Sequence, residues 1–324
     1  MSSSLSRSAD LLRQVALASV IANVGIVITG GAVRLTDSGL GCPTWPRCTD
    51  DSYVADPAMG IHVMIEFGNR LLTFAIALVA IAGFVLALRQ QPRRRRVVRL
   101  SVLAGLGIPA QAVIGGITVL TDLNPWIVAC HFLASMAVIA AAYAFWRSTT
   151  ETDDAPVPTV PMPLRALAGL IVAASAAVLV VGTMVTGSGP HAGDADAKRN
   201  GLDPQSISQA HTDLVFLLVG LSVAIWFAFR AVGARDAAER AAWLIGIIAA
   251  QGLIGFVQYA TQLPEFLVAA HMAGACAVWL ATLATYFATR SRQNPIVDAG
   301  RGQGHTSYPR STITAPAPPL RPAG

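Results

Sequence analysis

Apolar residues occur in eight long blocks that are separated by polar or charged segments. Each block has about 20 residues, which is the length that an α-helix needs to cross a bilayer. We expect the first block to remain as a helix and not to be cleaved as a signal peptide, because it is long and has no small-x-small cleavage site. The blocks predict an all-α membrane protein with transmembrane helices at about 15–33, 62–88, 99–120, 126–146, 165–185, 209–229, 241–260 and 266–288.

The composition excludes the main alternatives to a membrane protein. Hydrophobic residues make up 54% of the 324 residues and charged residues only 13%, whereas a soluble domain is about one quarter charged. The net charge of +5 does not indicate a nucleic-acid partner, because the arginines lie between the apolar blocks. The expected partner is the lipid bilayer.

The distribution of Lys and Arg predicts the orientation. Of the 23 such residues, 18 lie in the tails and in the loops that follow even-numbered spans, four lie in the opposite loops, and Arg70 lies within a span. Because basic loops stay in the cytoplasm, both termini are expected on the cytoplasmic side. The expected membrane is the plasma membrane. The loops 34–61 and 186–208 then face outward. The run 93–96 is explained by this topology signal, with an anionic-lipid site as the alternative.

An internal repeat divides the chain into halves. Residues 111–131 align without gaps on 251–271, with eight of 21 positions identical. Each half has four spans, so the halves point the same way, as two parallel four-helix bundles. The predicted divisions are a cytoplasmic tail, an N-terminal half, a cytoplasmic linker, a C-terminal half and a disordered cytoplasmic tail, at 1–14, 15–146, 147–164, 165–289 and 290–324.

Four histidines begin the even-numbered spans near the outer surface: His62, His131, His211 and His271. Ionisable residues inside spans are costly and mark functional sites. Imidazoles from facing helices can ligate a haem iron. The alternative is a neutral histidine that hydrogen-bonds between helices. Zinc is less favoured, because the sequence has no HExxH motif and no Cys/His cluster.

Span two places four polar residues on one helical face, because His62, Glu66, Asn69 and Arg70 follow i, i+4, i+7, i+8 spacing. A carboxylate inside a span is expensive unless it is paired or wet. Glu66 is therefore either the structural ion-pair partner of Arg70 or an acid/base carboxylate beside a ligand.

Two cysteines, Cys42 and Cys48, lie in the first outer loop within GLGCPTWPRC. The compartment outside the membrane is oxidising, so a disulfide is expected. Its role, structural or redox, is left open by the sequence.

The segments GGAVRLTDSGLGCPTWPRC, EFGNRLL and VTGSGPHAGD, with the AH and CH span starts, resemble the haem A synthase family over nearly all of residues 15–290. The resemblance implies oxidation of a haem O methyl group to a formyl group by successive hydroxylations, which gives haem A for terminal oxidases. It also implies haem O synthase (a protohaem farnesyltransferase) and oxidase assembly factors as partners.

The resemblance further implies residue roles. A haem b would lie between His211 and His271, and the substrate haem O would lie in the N-terminal half near His131. Glu66 would be catalytic, Arg70 would lie close to the substrate haem, and the outer-loop cysteine pair would form a disulfide.

The family has an ExxHR motif on its second span. Glu66 and Arg70 match the Glu and Arg of this motif, but Asn69 takes the place of its histidine. His62 lies seven residues earlier, about 10 Å along the helix. This leaves three alternatives for the substrate iron. His131 alone holds it, His62 also binds it after a helix shift, or one coordination position of the iron stays open.

The sequence is also compatible with two other functions. A haem-carrying membrane cytochrome without methyl chemistry needs the histidines but not Glu66, and a secondary transporter is suggested by the repeat alone.

Overall fold

Eight long α-helices account for most of the computed structural model, which describes residues 2–292 and their side chains from residue 7 onward. All eight are long and apolar enough to cross a membrane, which confirms the predicted class. Most of the predicted disordered tail, from residue 293, lies outside the described residues. The helices are α1 Ser2–Leu35, α2 Ile61–Arg89, α3 Arg95–Leu120, α4 Pro125–Ser148, α5 Met162–Ser188, α6 Pro204–Ala231, α7 Arg235–Ala260 and α8 Glu265–Phe287.

The helix boundaries have local causes. Asn124 caps α4 by accepting a hydrogen bond from the Trp126 N–H at 3.0 Å, and Asp203 caps α6 by accepting from the Ser206 N–H at 2.8 Å. A proline follows each cap, at a position where its missing N–H costs nothing. α1 extends outside the apolar block, so helix occupies nearly all of the predicted N-terminal tail.

The repeat is visible in the backbone. α3 and α7 have the same length and begin 140 residues apart. The turns that follow them carry positive φ angles at equivalent positions, in Asp122 and Leu123 and again in Gln262 and Leu263. Two segments with different sequences therefore make the same tight turn into the next helix.

Each half of the chain forms its own ring of helix contacts. Each of α1, α2 and α3 packs against the next helix in sequence, α1 also packs against α4, and α5–α8 repeat the arrangement. The halves meet through α1 against α8, α4 against α5, and α4 against α8. Exchanging the two halves leaves this set of interfaces unchanged. Trp279 of α8 marks the interface, where its Nε1 donates to the Met136 carbonyl at 2.9 Å.

The segment between the halves is tied to the end of α8. Two short strands, β1 Val157–Pro158 and β2 Arg290–Ser291, pair in antiparallel register. The Thr152 N–H donates to the Arg292 carbonyl at 3.0 Å. The predicted linker 147–164 is therefore fixed by main-chain hydrogen bonds.

Glu151 lies at the centre of this contact. Its carboxylate accepts hydrogen bonds from Arg147 at 2.9 Å and from Arg96. Arg94 donates to the Glu151 carbonyl at 2.8 Å. Burial alone would raise the pKa of the Glu151 carboxyl, but Arg96 and Arg147 outweigh burial and hold that pKa below its ordinary value of 4.5.

Candidate functional site

His131 and His271 lie in matched surroundings in the two halves. Each imidazole rests against a glycine of the preceding helix, Gly115 on α3 and Gly255 on α7. A β-carbon added to either glycine would lie 3.1 Å from Cε1 of its histidine. The bare backbone therefore sets the depth at which each ring lies in its bundle.

A glutamine on the preceding helix holds the backbone of each of these histidines. The Gln111 side chain donates to the His131 carbonyl at 3.2 Å, and Gln251 donates to the His271 carbonyl at 2.7 Å. Sequence analysis did not assign these glutamines a role. Their identity across the repeat was the signal that could have found them.

His211 on α6 also rests against a glycine of the preceding helix, α5. A β-carbon added to Gly182 of α5 would lie 3.1 Å from Cε1 of His211. His211 on α6 and His271 on α8 thus rest on glycines of the preceding helices in the same way.

The buried histidines fit axial ligation of a haem. Nδ1 of His131, His211 and His271 is buried without a hydrogen-bond partner among residues 2–292, although the Val178 backbone approaches the His211 ring. A buried polar atom left without a partner costs about 1–3 kcal/mol. In the described part of the chain no three His, Cys, Asp or Glu side chains converge to hold a bare metal ion. One or two imidazoles suffice when a macrocycle supplies the other iron ligands.

Glu66 is buried, at 6% exposure, and both carboxylate oxygens are engaged. Oε1 accepts from Arg70 Nη2 at 2.5 Å and from Arg70 Nε at 3.0 Å. Oε2 accepts from the backbone N–H of Cys42. The Glu66–Arg70 ion pair that the sequence suggested is present, and it also fixes the carboxylate against the first outer loop.

That outer loop is closed by a disulfide. The Sγ atoms of Cys42 and Cys48 are bonded at 2.01 Å, which confirms the expected bond. Arg70 holds the loop by donating to the carbonyls of Cys42, Thr44 and Arg47, each at 3.1 Å. The loop and the α2 face of Glu66 therefore form one hydrogen-bonded unit.

Trp45 lies in the middle of the disulfide loop and packs on α3. Its indole ring occupies the space that a side chain at Gly116 would need. The neighbouring glycine of α3, Gly115, is the one against which the His131 ring rests. Sequence analysis missed Trp45. The only signal was the glycine pair at 115–116, which the repeat replaces with glycine and Phe256.

The remaining predicted residues of span two lie apart from one another. Asn69 Oδ1 accepts a hydrogen bond from Thr29 Oγ1 of α1 at 2.7 Å. His62 is exposed in the first turn of α2, where its Nδ1 lies 3.0 Å from Ser38 Oγ. His62 is therefore held at the start of α2 by the loop.

The family model described as cytochrome oxidase assembly protein, COX15-CtaA, matches residues 13–195, which is more than half of the chain. The chain belongs to this family. The matched region contains the disulfide loop, Glu66, Arg70 and His131.

Individual relatives extend the match. "Heme A synthase" of Lysinibacillus sphaericus is 32% identical over 143 residues, 44% of this chain and 46% of that protein. This alignment spans less than half of the relative's length. "Heme A synthase" of Symbiobacterium thermophilum is 25% identical over 274 residues, 78% of this chain and 89% of that protein. "Protoheme IX farnesyltransferase" of Haloarcula marismortui is 29% identical over 138 residues, 41% of this chain and 28% of that protein.

Proposed function

We propose that this chain is a haem A synthase, an oxidoreductase that converts a methyl group of haem O to a formyl group and supplies haem A to terminal oxidases. The observation that carries the proposal is an asymmetry between otherwise matched bundles. Three residues before Asn69 the N-terminal half has the buried carboxylate Glu66, and three residues before His211 the C-terminal half has Ser208. One half is thus equipped for chemistry and the other for holding a cofactor.

His211 and His271 hold haem b in the C-terminal half, and His131 binds the iron of the substrate haem O in the N-terminal half. Haem b, when held by these two histidines, would supply one-electron redox chemistry. Gly182 and Gly255 fix the two imidazoles, so the ligand geometry is set before the cofactor arrives. Support comes from the buried ring nitrogens that lack protein partners.

Glu66 orients the attacking water, or stabilises positive charge that develops at the reacting methyl carbon. The Arg70 guanidinium and the Cys42 N–H both bind the carboxylate, so its position is fixed. A fixed carboxylate in a water-poor site can accept a hydrogen bond from water or stabilise a developing positive charge. Its rigid attachment to the disulfide loop keeps it in place between the two hydroxylations.

Arg47 is the arginine available to a propionate of the substrate. The Arg34 guanidinium already donates to the Thr186 carbonyl at 2.8 Å and to the His191 carbonyl. Arg70 is committed to Glu66 and the loop. Arg47 is exposed, and its guanidinium lies over the Tyr53 ring and donates to the Asp50 carbonyl. Its other donors can form a guanidinium–carboxylate contact.

The setting proposed for this enzyme is the plasma membrane, with both termini in the cytoplasm and the haem sites toward the outer face. Its expected partners are a haem O synthase and factors of oxidase assembly. The description of the matching family supports the second class. The archaeal relative named as a farnesyltransferase, part of which is similar to this chain, supports the first.

The test is expression beside a haem O source, followed by extraction and mass analysis of the haems. Glu66→Gln should lower haem A formation about 100-fold or more, because acid/base groups contribute about 10²–10⁴-fold. The bound haem b should be unchanged. The matched control is Glu265→Gln, an exposed carboxylate at the start of α8, which should form haem A normally. If Glu66→Gln forms as much haem A as the natural protein, Glu66 has no role in the mechanism.

The histidine pair of the C-terminal half also fits a haem-carrying membrane cytochrome without methyl chemistry. The same extraction separates the two functions, since a cytochrome leaves haem O unmodified. A transporter, the third alternative, binds no chromophore, so the colour of the purified protein distinguishes it.

A further inference from the structure

The two bundles differ at one position that the structure makes equivalent. Asn69 is the ninth residue of α2 and His211 the eighth of α6, so they lie at nearly the same depth. A β-carbon added to Gly182 would meet Cε1 of His211 at 3.1 Å. A β-carbon added to Gly30, near the same end of α1, would meet Nδ2 of Asn69 at 3.8 Å. The Asn69 amide therefore takes the place of an imidazole.

The other histidine position has no such difference. His131 is the seventh residue of α4 and His271 the seventh of α8. Both rest on a glycine at the same distance, and a glutamine binds both carbonyls. The N-terminal bundle thus has one imidazole in the arrangement in which the C-terminal bundle has two.

The Asn69 side chain is suited to donating a hydrogen bond and not to ligating iron. Its Oδ1 accepts from Thr29 Oγ1 at 2.7 Å, which leaves Nδ2 as the free end. Nδ2 makes no hydrogen bond to any other residue within 2–292. An amide nitrogen is a donor only, because its lone pair is delocalised into the carbonyl.

His62 does not supply the missing ligand. It lies seven residues before Asn69, about 10 Å along the helix. Its ring is exposed and hydrogen-bonded to Ser38 of the outer loop. Bringing it to the depth of Asn69 would require α2 to slide by about two turns, which would break the contact of Glu66 with the Cys42 N–H and the contacts of Arg70 with the loop carbonyls.

We propose that the N-terminal bundle binds the iron of its substrate haem through His131 alone, and that Asn69 leaves the opposite face open and donates a hydrogen bond from Nδ2 to a small ligand there. The inference rests on the proposed function, since it specifies how that substrate is held. Glu66 lies one turn before Asn69 on the same face of α2, so the open face is on the side of the carboxylate.

The two sites should then differ in spin state and in ligand binding. An iron with one axial imidazole is high-spin and accepts an added ligand such as carbon monoxide. An iron between two imidazoles is low-spin and does not. Both properties are spectroscopic, so they can be measured without turnover.

The experiment uses full-length protein purified from cells that make haem O, with optical and electron paramagnetic resonance spectra of the two haems. In the natural protein the haem O fraction should be high-spin and bind carbon monoxide, while the haem b fraction should be low-spin and inert. Asn69→His should make the haem O fraction low-spin and abolish its carbon monoxide binding. The mirror variant His211→Asn should give carbon monoxide binding to the haem b fraction and leave haem O unaffected.

The outcomes separate this inference from the proposed function. A low-spin, inert haem O fraction in the natural protein overturns the one-histidine site, while the proposed function stands if haem A is still formed. His62→Ala would then show whether His62 is the second ligand. Protein that neither binds haem O nor forms haem A overturns the proposed function itself. If Asn69→His does not fold, the mirror variant still decides, because an inert His211→Asn contradicts the inferred equivalence.

Discussion

Each buried imidazole lies where a glycine lets it approach the backbone of a neighbouring helix. At Gly115, Gly182 and Gly255 an added methyl group would come within 3.1 Å of the ring, which is closer than ordinary van der Waals contact. Close packing transmits such a change directly to the ring, because protein interiors have little free space. The glycines therefore fix the positions of the three imidazoles.

Gly255→Ala tests this dependence. The new methyl group should displace the His271 imidazole and weaken the low-spin haem b spectrum per mole of protein. The matched control is Gly246→Ala on the same helix, where an added β-carbon meets nothing within 4 Å. That control should keep the full spectrum and gain about 1 kcal/mol of helix stability. Equal spectra for the two variants would contradict the proposed role of Gly255.

Replacing the ligands should separate the two sites. His271→Ala should abolish the low-spin haem b spectrum, because the proposed axial ligand is removed. His131→Ala should leave that spectrum intact and abolish retention of haem O. Spectra of the purified variants, read with the haem content of each, check both outcomes. An unchanged haem b spectrum in His271→Ala counts against the ligation.

At the scale of residues, the sequence predicted the groups whose burial is expensive. Ionisable side chains inside spans are costly and so indicate functional sites. This criterion predicted His131, His211, His271 and Glu66. Trp45 was not predicted, since an aromatic residue in an outer loop carries no signal of what it contacts. Its contact with Gly116 is tertiary, and only the structure shows it.

At the scale of elements, the first outer loop is an extension of the N-terminal bundle. Arg70 and Glu66 hold its backbone on α2, and Trp45 holds it on α3. The disulfide shortens the segment that must be ordered, which favours this one arrangement. The loop thereby links the carboxylate to α3, whose Gly115 lies against the His131 ring.

Gly116→Ala should expel Trp45 from α3. Overpacking at a well-packed position costs about 1–3 kcal/mol, and the loop should move with the indole ring. We expect haem A formation to fall severalfold while the haem b spectrum of the other half is unchanged, as measured on one preparation. The matched control is the repeat-equivalent Phe256→Ala, whose side chain is 73% exposed. Normal haem A formation by Gly116→Ala would show that the loop position is unimportant.

The apolar blocks predicted all eight helices, since a run of about 20 apolar residues has few alternatives to a transmembrane helix. Their ends were predicted less well. α1 begins at Ser2 and α7 at Arg235, because a helix continues past the apolar block for as long as its backbone hydrogen bonds can form. The pairing of Val157–Pro158 with Arg290–Ser291 was not predicted, because two-residue strands have no periodicity to detect.

At the scale of the whole molecule, the segment that contains Glu151 joins the halves. The Glu151 carboxylate lies between Arg96 of the α3 start and Arg147 of the α4 end, within the first half. Thr152, the next residue, donates to the Arg292 carbonyl just after α8. The ion pairs thus hold in place a segment that a main-chain hydrogen bond ties to the second half.

Glu151 should make the stability pH-dependent in a defined window. Its pKa is depressed in the folded protein, so its stabilisation is complete above the unfolded pKa of about 4.5 and is lost as the pH falls through the folded value. Glu151→Gln should lower stability at pH 7 by about 1–3 kcal/mol and flatten the pH dependence below pH 4.5. Thermal unfolding in detergent across this range measures both effects. The control is Glu239→Gln, an exposed carboxylate, whose stability and pH dependence should match those of the natural protein. If the pH dependence of stability is unchanged in Glu151→Gln, Glu151 does not have this role.

The central claim is that this membrane protein turns haem O into haem A. The most direct measurement is expression of the natural chain in a host that makes haem O but no haem A, followed by mass analysis of the porphyrins extracted from cells and purified protein. We predict a coloured preparation that retains haem b, and haem A in the extract. A preparation without iron porphyrin, or an extract that contains haem O alone, would contradict the claim.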